Sequence, residues 1–159
     1  MANDRQPMTT AGKAKLESEL KHLLQVERPD TIRAIEEARG HGDISENADY
    51  DAAKERQAFV EARIAEIQTK LANAEVVDTT TLKSSTIVFG AHVDLEDCES
   101  SEKLSYQIVG EDESDVKNGK ISVFSPMARS LIGKKVGDII ELRSPKGERE
   151  FEVLKFFFK

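Results

Sequence analysis

The sequence is poor in the residues that carry most self-contained chemistry. Its 159 residues include a single cysteine, Cys98, which excludes an intramolecular disulfide and a cysteine-based zinc site. That usage fits a reducing cytoplasm. Three histidines, His22, His41 and His92, include no pair at metal-ligand spacing. His92 falls in a strand pattern and reads as structural. There is no glycine-rich phosphate loop and no Ser/His/Asp triad signature. No apolar run approaches the ~20 residues of a membrane span. The N-terminal stretch carries Asp4 and Pro7 and no apolar core, unlike a secretory signal. The expectation is a soluble cytoplasmic protein with no membrane partner. Basic excess is also missing. The formal charge is −7, whereas a free-standing nucleic-acid binder would usually be basic. Residues 1–80 carry 11 Lys and Arg against 16 Asp and Glu, and residues 81–159 carry 12 against 14, so the acidity is not confined to a tail.

What is present falls into two halves with different periods. Residues 9–78 read as helix, with Thr10 as a candidate N-cap. Leu16, Leu20 and Leu23 form the first apolar face. Pro29 interrupts it and is expected to kink or locally break the helix, because proline removes a backbone donor. Ile32, Ala34, Ile35 and Ala38 resume the face. Gly40 and Gly42 end it, as glycine tolerates the left-handed conformation of a helix terminus. Ala53, Gln57, Val60, Ile64, Ile67, Leu71 and Ala74 then step by four and three, a heptad seam with one polar member. Charged residues such as Arg56, Glu61, Arg63, Glu66 and Lys70 crowd the other faces. Two narrow seams joined by a short glycine-bearing connection favour an antiparallel helical hairpin. About 30 residues at 1.5 Å each give a rod ~45 Å long. An interdomain spacer or a dimeric coiled coil would show the same pattern.

Beyond Asp78 the period shortens. Strands are expected at 87–95, 104–110, 121–123, 139–142 and 151–158, with a turn at Lys146-Gly147. A short helix is expected from Ser125, a good N-cap, with Pro126 at the first helical position. Helices followed by strands suggest an α domain and then an α+β domain, divided near 78–84.

The connection between the two helical patterns holds Asp43 and Glu46, three residues apart. Carboxylates are hard oxygen ligands suited to Mg²⁺, which commonly takes one or two of them and completes its shell elsewhere. Such an ion can activate water in phosphodiester hydrolysis. Two carboxylates are an incomplete site, so a partner would have to supply the rest. A capping box is the competing explanation, with Asp43 as N-cap and Glu46 as its reciprocal partner. Tyr50 can stack on a base and Asn47 can bond a nucleotide. Packing and helix capping would also account for them. Arg39, Lys54, Arg56 and Arg63 can meet phosphate or simply line a solvated face.

The stretch His41-Gly42-Asp43-Ile44-Ser45-Glu46-Asn47-Ala48-Asp49-Tyr50 resembles the signature of the bacterial Gre transcript cleavage factors. So do Phe89-Gly90-Ala91, Ile108-Val109-Gly110, Ile121-Ser122-Val123 and Ser125-Pro126-Met127-Ala128-Arg129-Ser130-Leu131-Ile132-Gly133. The resemblance covers nearly the full length, and the acidic balance is similar to the GreA type. It implies a two-domain α and α+β fold. Residues 1–79 would form an antiparallel coiled-coil hairpin with an acidic tip at 40–50. Residues 80–159 would form an FKBP-like domain that docks on RNA polymerase. The hairpin would enter the polymerase's secondary channel from its rim and reach the nascent RNA 3′ end. Asp43 and Glu46 would be the catalytic acids, holding a Mg²⁺ shared with the polymerase and not bound tightly by the chain alone. Ser45, Asn47, Tyr50 and Arg39 would contact RNA or the active centre. Ser125, Pro126, Met127, Ala128 and Arg129 would serve docking. The chain would stimulate the polymerase's own cleavage of backtracked RNA, be no enzyme alone, and be a monomer when free. Two alternatives stand beside this reading: a non-catalytic regulator of the same channel, and a prolyl isomerase or chaperone suggested by the FKBP-like resemblance.

Overall fold

A computed structural model of the chain describes residues 5–40, 42 and 47–159. Two compact units emerge: Lys13–Asn73 is one, and Met1–Gly12 with Ala74–Lys159 is the other. The chain therefore crosses between units at Gly12/Lys13 and at Asn73/Ala74, whereas the sequence pattern suggested one crossing near 78–84. Two short strands account for the difference. β1 (Gln6–Thr9) pairs in parallel with β2 (Ala74–Val77), in the register Gln6 with Ala74 through Thr9 with Val77. Ala74 thus leaves the helical seam, and the helical reading of 9–78 is too long at both ends. Neither four-residue strand has a periodic signal of its own, since their partner lies more than sixty residues away.

Helix α1 (Thr10–His22) follows β1 directly. Its N-cap is Thr9, not Thr10: the Thr9 hydroxyl accepts from the Gly12 amide at 3.1 Å. The same hydroxyl donates to the Glu113 carboxylate, which also accepts from the Thr9 amide at 3.0 Å and the Gly110 amide at 3.1 Å. Gly12 is required by this close approach, because a Cβ there would lie 2.2 Å from Glu113 Cδ.

Pro29 does not break the helix. A π-helical turn at Leu23–Glu27 runs straight into α2 (Arg28–Arg39), with the Arg28 amide bonded to the Leu23 carbonyl. A π-turn holds one residue more than an α-turn. That extra residue shifts the apolar face. Leu16 and Leu23 are buried seven apart, then Thr31 eight further on, then Ile35 and Ala38. Ile32, expected inside, is exposed, and Thr31 takes its place with its hydroxyl satisfied by the Arg28 carbonyl at 2.7 Å. The adjustment sits immediately before the proline, where the missing N–H would have left a carbonyl without its partner.

Helix α3 (Ala48–Ala72) returns antiparallel to α1 and α2. Its seam is close to the expected one: Ala53, Val60, Ile64 and Ile67 are buried and Gln57 is half-buried. Each large buried side chain contributes roughly 1.5–3 kcal/mol. Ion pairs flank the seam. Arg63 grips Glu19 with two bonds of 2.7 and 2.8 Å, and Arg28 grips Glu61 with 2.8 and 2.7 Å. Arg56 meets Glu27, which also faces His22 at 3.3 Å. These bonds hold Glu19, Glu27 and Glu61 below the usual carboxylate range, mainly through their arginine partners. Arg56 and Arg63 are therefore committed within the hairpin.

The other unit is built on a five-stranded sheet in the order β5-β4-β3-β7-β6. Its strands are β3 (His92–Asp97), β4 (Lys103–Val109), β5 (Lys120–Ser122), β6 (Ile139–Ser144) and β7 (Gly147–Phe157). Only β4 and β5 run parallel; the other neighbours are antiparallel. Helix α4 (Pro126–Leu131) contributes Ala128 and Leu131 to a core shared with Val93, Leu95, Ile108, Ile140, Phe151 and Val153. Ile87–Phe89 is not a strand. Fully buried Ile87 instead exchanges hydrogen bonds with Lys134 and Gly133, at 2.9 and 2.8 Å. Asp97 is buried at the end of β3. One of its carboxylate oxygens accepts from the Glu99 and Ser100 amides, at 2.8 and 3.1 Å, and the other accepts from Arg149, at 3.0 and 2.8 Å.

Candidate functional site

The acidic residues Asp43 and Glu46, with His41, Ile44 and Ser45, lie outside the described residues. The chain on either side of them is described. Arg39 is the last residue of α2 and is exposed. Gly40 closes the helix in a right-handed conformation at φ −65°, so it does not use the freedom expected of it. Gly42 does, at φ +104°. The return helix begins with Asn47 as its N-cap: Asn47 Oδ1 accepts from the Tyr50 amide at 3.1 Å. Asn47 Nδ2 donates to the Ala38 carbonyl at 2.6 Å, tying the start of α3 to the last turn of α2. Both ends of this side chain are thus spent on structure. Tyr50 is half-buried in the first turn of α3. The capping-box explanation of Asp43 and Glu46 fails for α3, because Asn47 occupies the cap and Glu46 precedes it. Acidic groups do sit in the first turn of α3, but they are Asp49 and Asp51.

The second candidate region is α4. Ser125 is its N-cap, accepting from the Ala128 amide at 3.3 Å while its hydroxyl donates to the Ser122 carbonyl at 2.6 Å. Pro126 follows at the start of the helix, as expected. Ala128 is fully buried and Met127 packs against the same core, so both face inward. Arg129 is exposed. Phe124 and Ile132, which bracket the helix, are large apolar residues left exposed, as are Val136 and Ile139 nearby in sequence. The sequence reading took in the helix and Ile132 but not the exposure of Phe124, Val136 and Ile139, which no periodicity distinguishes from core residues.

Among the described residues, no three His, Cys, Asp or Glu side chains gather closely enough to hold a metal ion. No helix among them is long and apolar enough to cross a membrane.

Two family models together span this architecture. Residues 6–76 match the transcription elongation factor N-terminal domain, and residues 82–157 match the C-terminal domain of the GreA/GreB transcription elongation factors. The chain belongs to the GreA/GreB family of transcription elongation factors. It is 54% identical over 156 residues to transcription elongation factor GreA of Hyphomonas neptunium, covering 98% of this chain and 99% of that one. It is 55% identical over 152 residues to GreA of Acidiphilium cryptum, covering 96% and 97%. Among solved structures, GreA factor homolog 1 of Thermus thermophilus is 32% identical, covers 96% of this chain and 98% of its own, and superposes with a TM-score of 0.45. In this Gre-family chain the first matched domain takes in β1, the helical pair and most of β2. The second takes in the sheet and α4.

Proposed function

We propose that this transcription elongation factor acts by carrying Asp43 and Glu46 to the active centre of RNA polymerase and stimulating the polymerase's own cleavage of backtracked RNA. In this reading the helical pair is an antiparallel coiled coil that enters the secondary channel. The sheet unit is an FKBP-like domain that docks at the channel rim, with the surface around Ser125–Arg129 making contact. The chain works in the cytoplasm as a monomer and is no enzyme alone.

The observation that carries the reading is the capping of α3 by Asn47. The cap of α3 therefore does not account for the spacing of Asp43 and Glu46. Two carboxylates three residues apart suit a hard divalent cation. They fill at most a minority of its coordination sites, so the polymerase supplies the remainder. A Mg²⁺ held this way would lower the pKa of a bound water and offset charge on a phosphodiester. The chain's own share is to hold the acids at the end of a rigid arm. Bidentate Arg63–Glu19 and Arg28–Glu61 pairs and the Asn47–Ala38 bond provide that rigidity. Arg39 and Tyr50 flank the acids, where a cation and an aromatic ring suit a nucleotide. Ser45 completes the polar set, while Asn47 holds the start of the return helix in place.

The deciding experiment uses stalled, backtracked elongation complexes. The wild-type chain should accelerate release of short 3′ RNA fragments. Asp43→Ala/Glu46→Ala should lose that stimulation while still binding polymerase and melting at the wild-type temperature. Full stimulation by the double variant would remove the assigned chemistry, and inhibition by the wild type would favour a non-catalytic channel regulator.

A further inference from the structure

The face of the sheet turned away from α4 carries an open depression of about 300 Å³ lined by His92, Gln107, Lys120 and Phe157, among others. The register explains why these residues meet. His92 pairs with Gln107 on one side and Phe157 on the other, and Gln107 pairs in turn with Lys120. Directly paired residues point to the same face, so the four form one row across β7, β3, β4 and β5. The His92 ring stacks on Phe157 at 5.1 Å with a 6° interplanar angle, and Lys159 Nζ lies 5.8 Å from the centre of the Phe157 ring.

The local charge is positive although the chain is acidic. Asp94 is the carboxylate bordering the depression, and it is already engaged. Ser105 donates to one of its oxygens at 2.7 Å, and Lys155 stands 3.6 Å from the other. Lys120 and Lys159 have no carboxylate partner among the described residues, and neither does the Gln107 side-chain amide have a hydrogen-bond partner there. One ammonium group, one amide and an imidazole therefore line one hollow, and Lys159 stands beside it over the Phe157 ring. The imidazole reports the field: burial first, and then Lys159 and Lys120, push the His92 pKa down, with Asp94 opposing them.

We propose that this depression binds a phosphate group, carried by a nucleotide or by an RNA strand, with Lys120 and Lys159 as its cationic contacts and His92 and Gln107 as hydrogen-bond donors. Lysine acts as a point charge toward phosphate, and a neutral imidazole can donate through one ring nitrogen. An anion in the hollow also offsets the two lysines, so binding and protonation of His92 reinforce each other. The site shares no residue with the transcript-cleavage reading and needs no polymerase to be tested.

The test follows the His92 ring resonances of the full chain against pH in four solutions of equal ionic strength: sodium chloride, inorganic phosphate, uridine monophosphate, and a short single-stranded RNA. His22, on the helical pair, is the internal reference. A saturable rise of His92's titration midpoint by about one pH unit above the chloride value is expected with at least one phosphate probe. The probe acting at the lowest concentration identifies the source as free phosphate, nucleotide or strand. Lys120→Gln and Lys159→Gln, which change exposed side chains only, should each reduce the rise. A midpoint that moves equally in chloride, or moves undiminished in both variants, overturns the proposal.

Discussion

Asn47 donates its side-chain amide to the Ala38 carbonyl at 2.6 Å while its side-chain oxygen caps the return helix. One residue thus closes the end of the helical pair from both sides. Replacing Asn47 by alanine should cost about 1–2 kcal/mol, since a cap and a second bond are lost together. Asn47→Ser keeps a capping acceptor and removes the donor to Ala38 without placing a second acceptor there, so it should cost less. Urea denaturation of the three proteins separates the two contributions.

The register of the first arm makes a second prediction. Ile67 is fully buried and Ile32 is exposed. Ile67→Ala should destabilise by about 2–5 kcal/mol, whereas Ile32→Ala should stay within about 0.5 kcal/mol. Equal losses would restore the simple heptad reading, in which Ile32 belongs to the seam.

The π-turn gives a sharper check. Removing exposed Val26 takes one residue from the turn and brings Leu23 and Thr31 to an unbroken seven-residue spacing. The turn should relax to α-helix, with a stability change within about 1 kcal/mol. Removing Glu36 instead rotates Ile35 and Ala38 against each other on the seam and should cost far more. Thermal melts and helical circular dichroism of both deletions decide it.

Asp97 makes stability depend on acid pH. Arg149, and then the Ser100 and Glu99 amides, hold its pKa below the ordinary carboxylate value. A folded-state pKa lower than the unfolded one adds stability that is fully present above the unfolded value of about 3.9. That stability is lost as pH falls through the folded value. Wild type should therefore exceed Asp97→Asn in stability at neutral pH, and the gap should close below pH ~4. A gap that is constant from neutral to acid pH would mean that shape, not charge, is what Asp97 provides.

On α4, exposed Arg129 and buried Ala128 should part company. Arg129→Ala should weaken binding to RNA polymerase by about 1–2 kcal/mol with an unchanged melting temperature. Ala128→Asp should unfold the sheet unit, because it places a charge in a fully buried position. Binding and melting measured on the same two variants separate contact from scaffold.

Much of this protein was legible in local spacing. The four-three steps from Ala53 to Leu71 mark α3 because a helix repeats its faces on that period. Alternation marks β4, β6 and the end of β7 because a strand repeats every second residue. Ser125-Pro126 marks the start of α4 because both residues satisfy a helix N-terminus locally. The family-like stretch around Asp43 and Glu46 was equally visible, since it is written in consecutive residues.

The rest depends on partners distant in sequence. Thr9 caps α1 and meets Glu113 across 104 positions. Gln6–Thr9 and Ala74–Val77 are strands only because they pair with each other. Asp97 is a buried carboxylate only because Arg149 arrives on β7. Asn47, open in the sequence to nucleotide contact or capping, became the cap once Ala38 was seen beside it. The row Phe157–His92–Gln107–Lys120 exists only in the sheet's register. Sequence alone determined the long helices and most strands of the five-stranded sheet, because those preferences act over a few residues. Tertiary structure decided which seam position absorbs the extra residue before Pro29, where the chain passes between its two units, and which charges are neutralised, because each of these is set by a neighbour that the local chain does not contain.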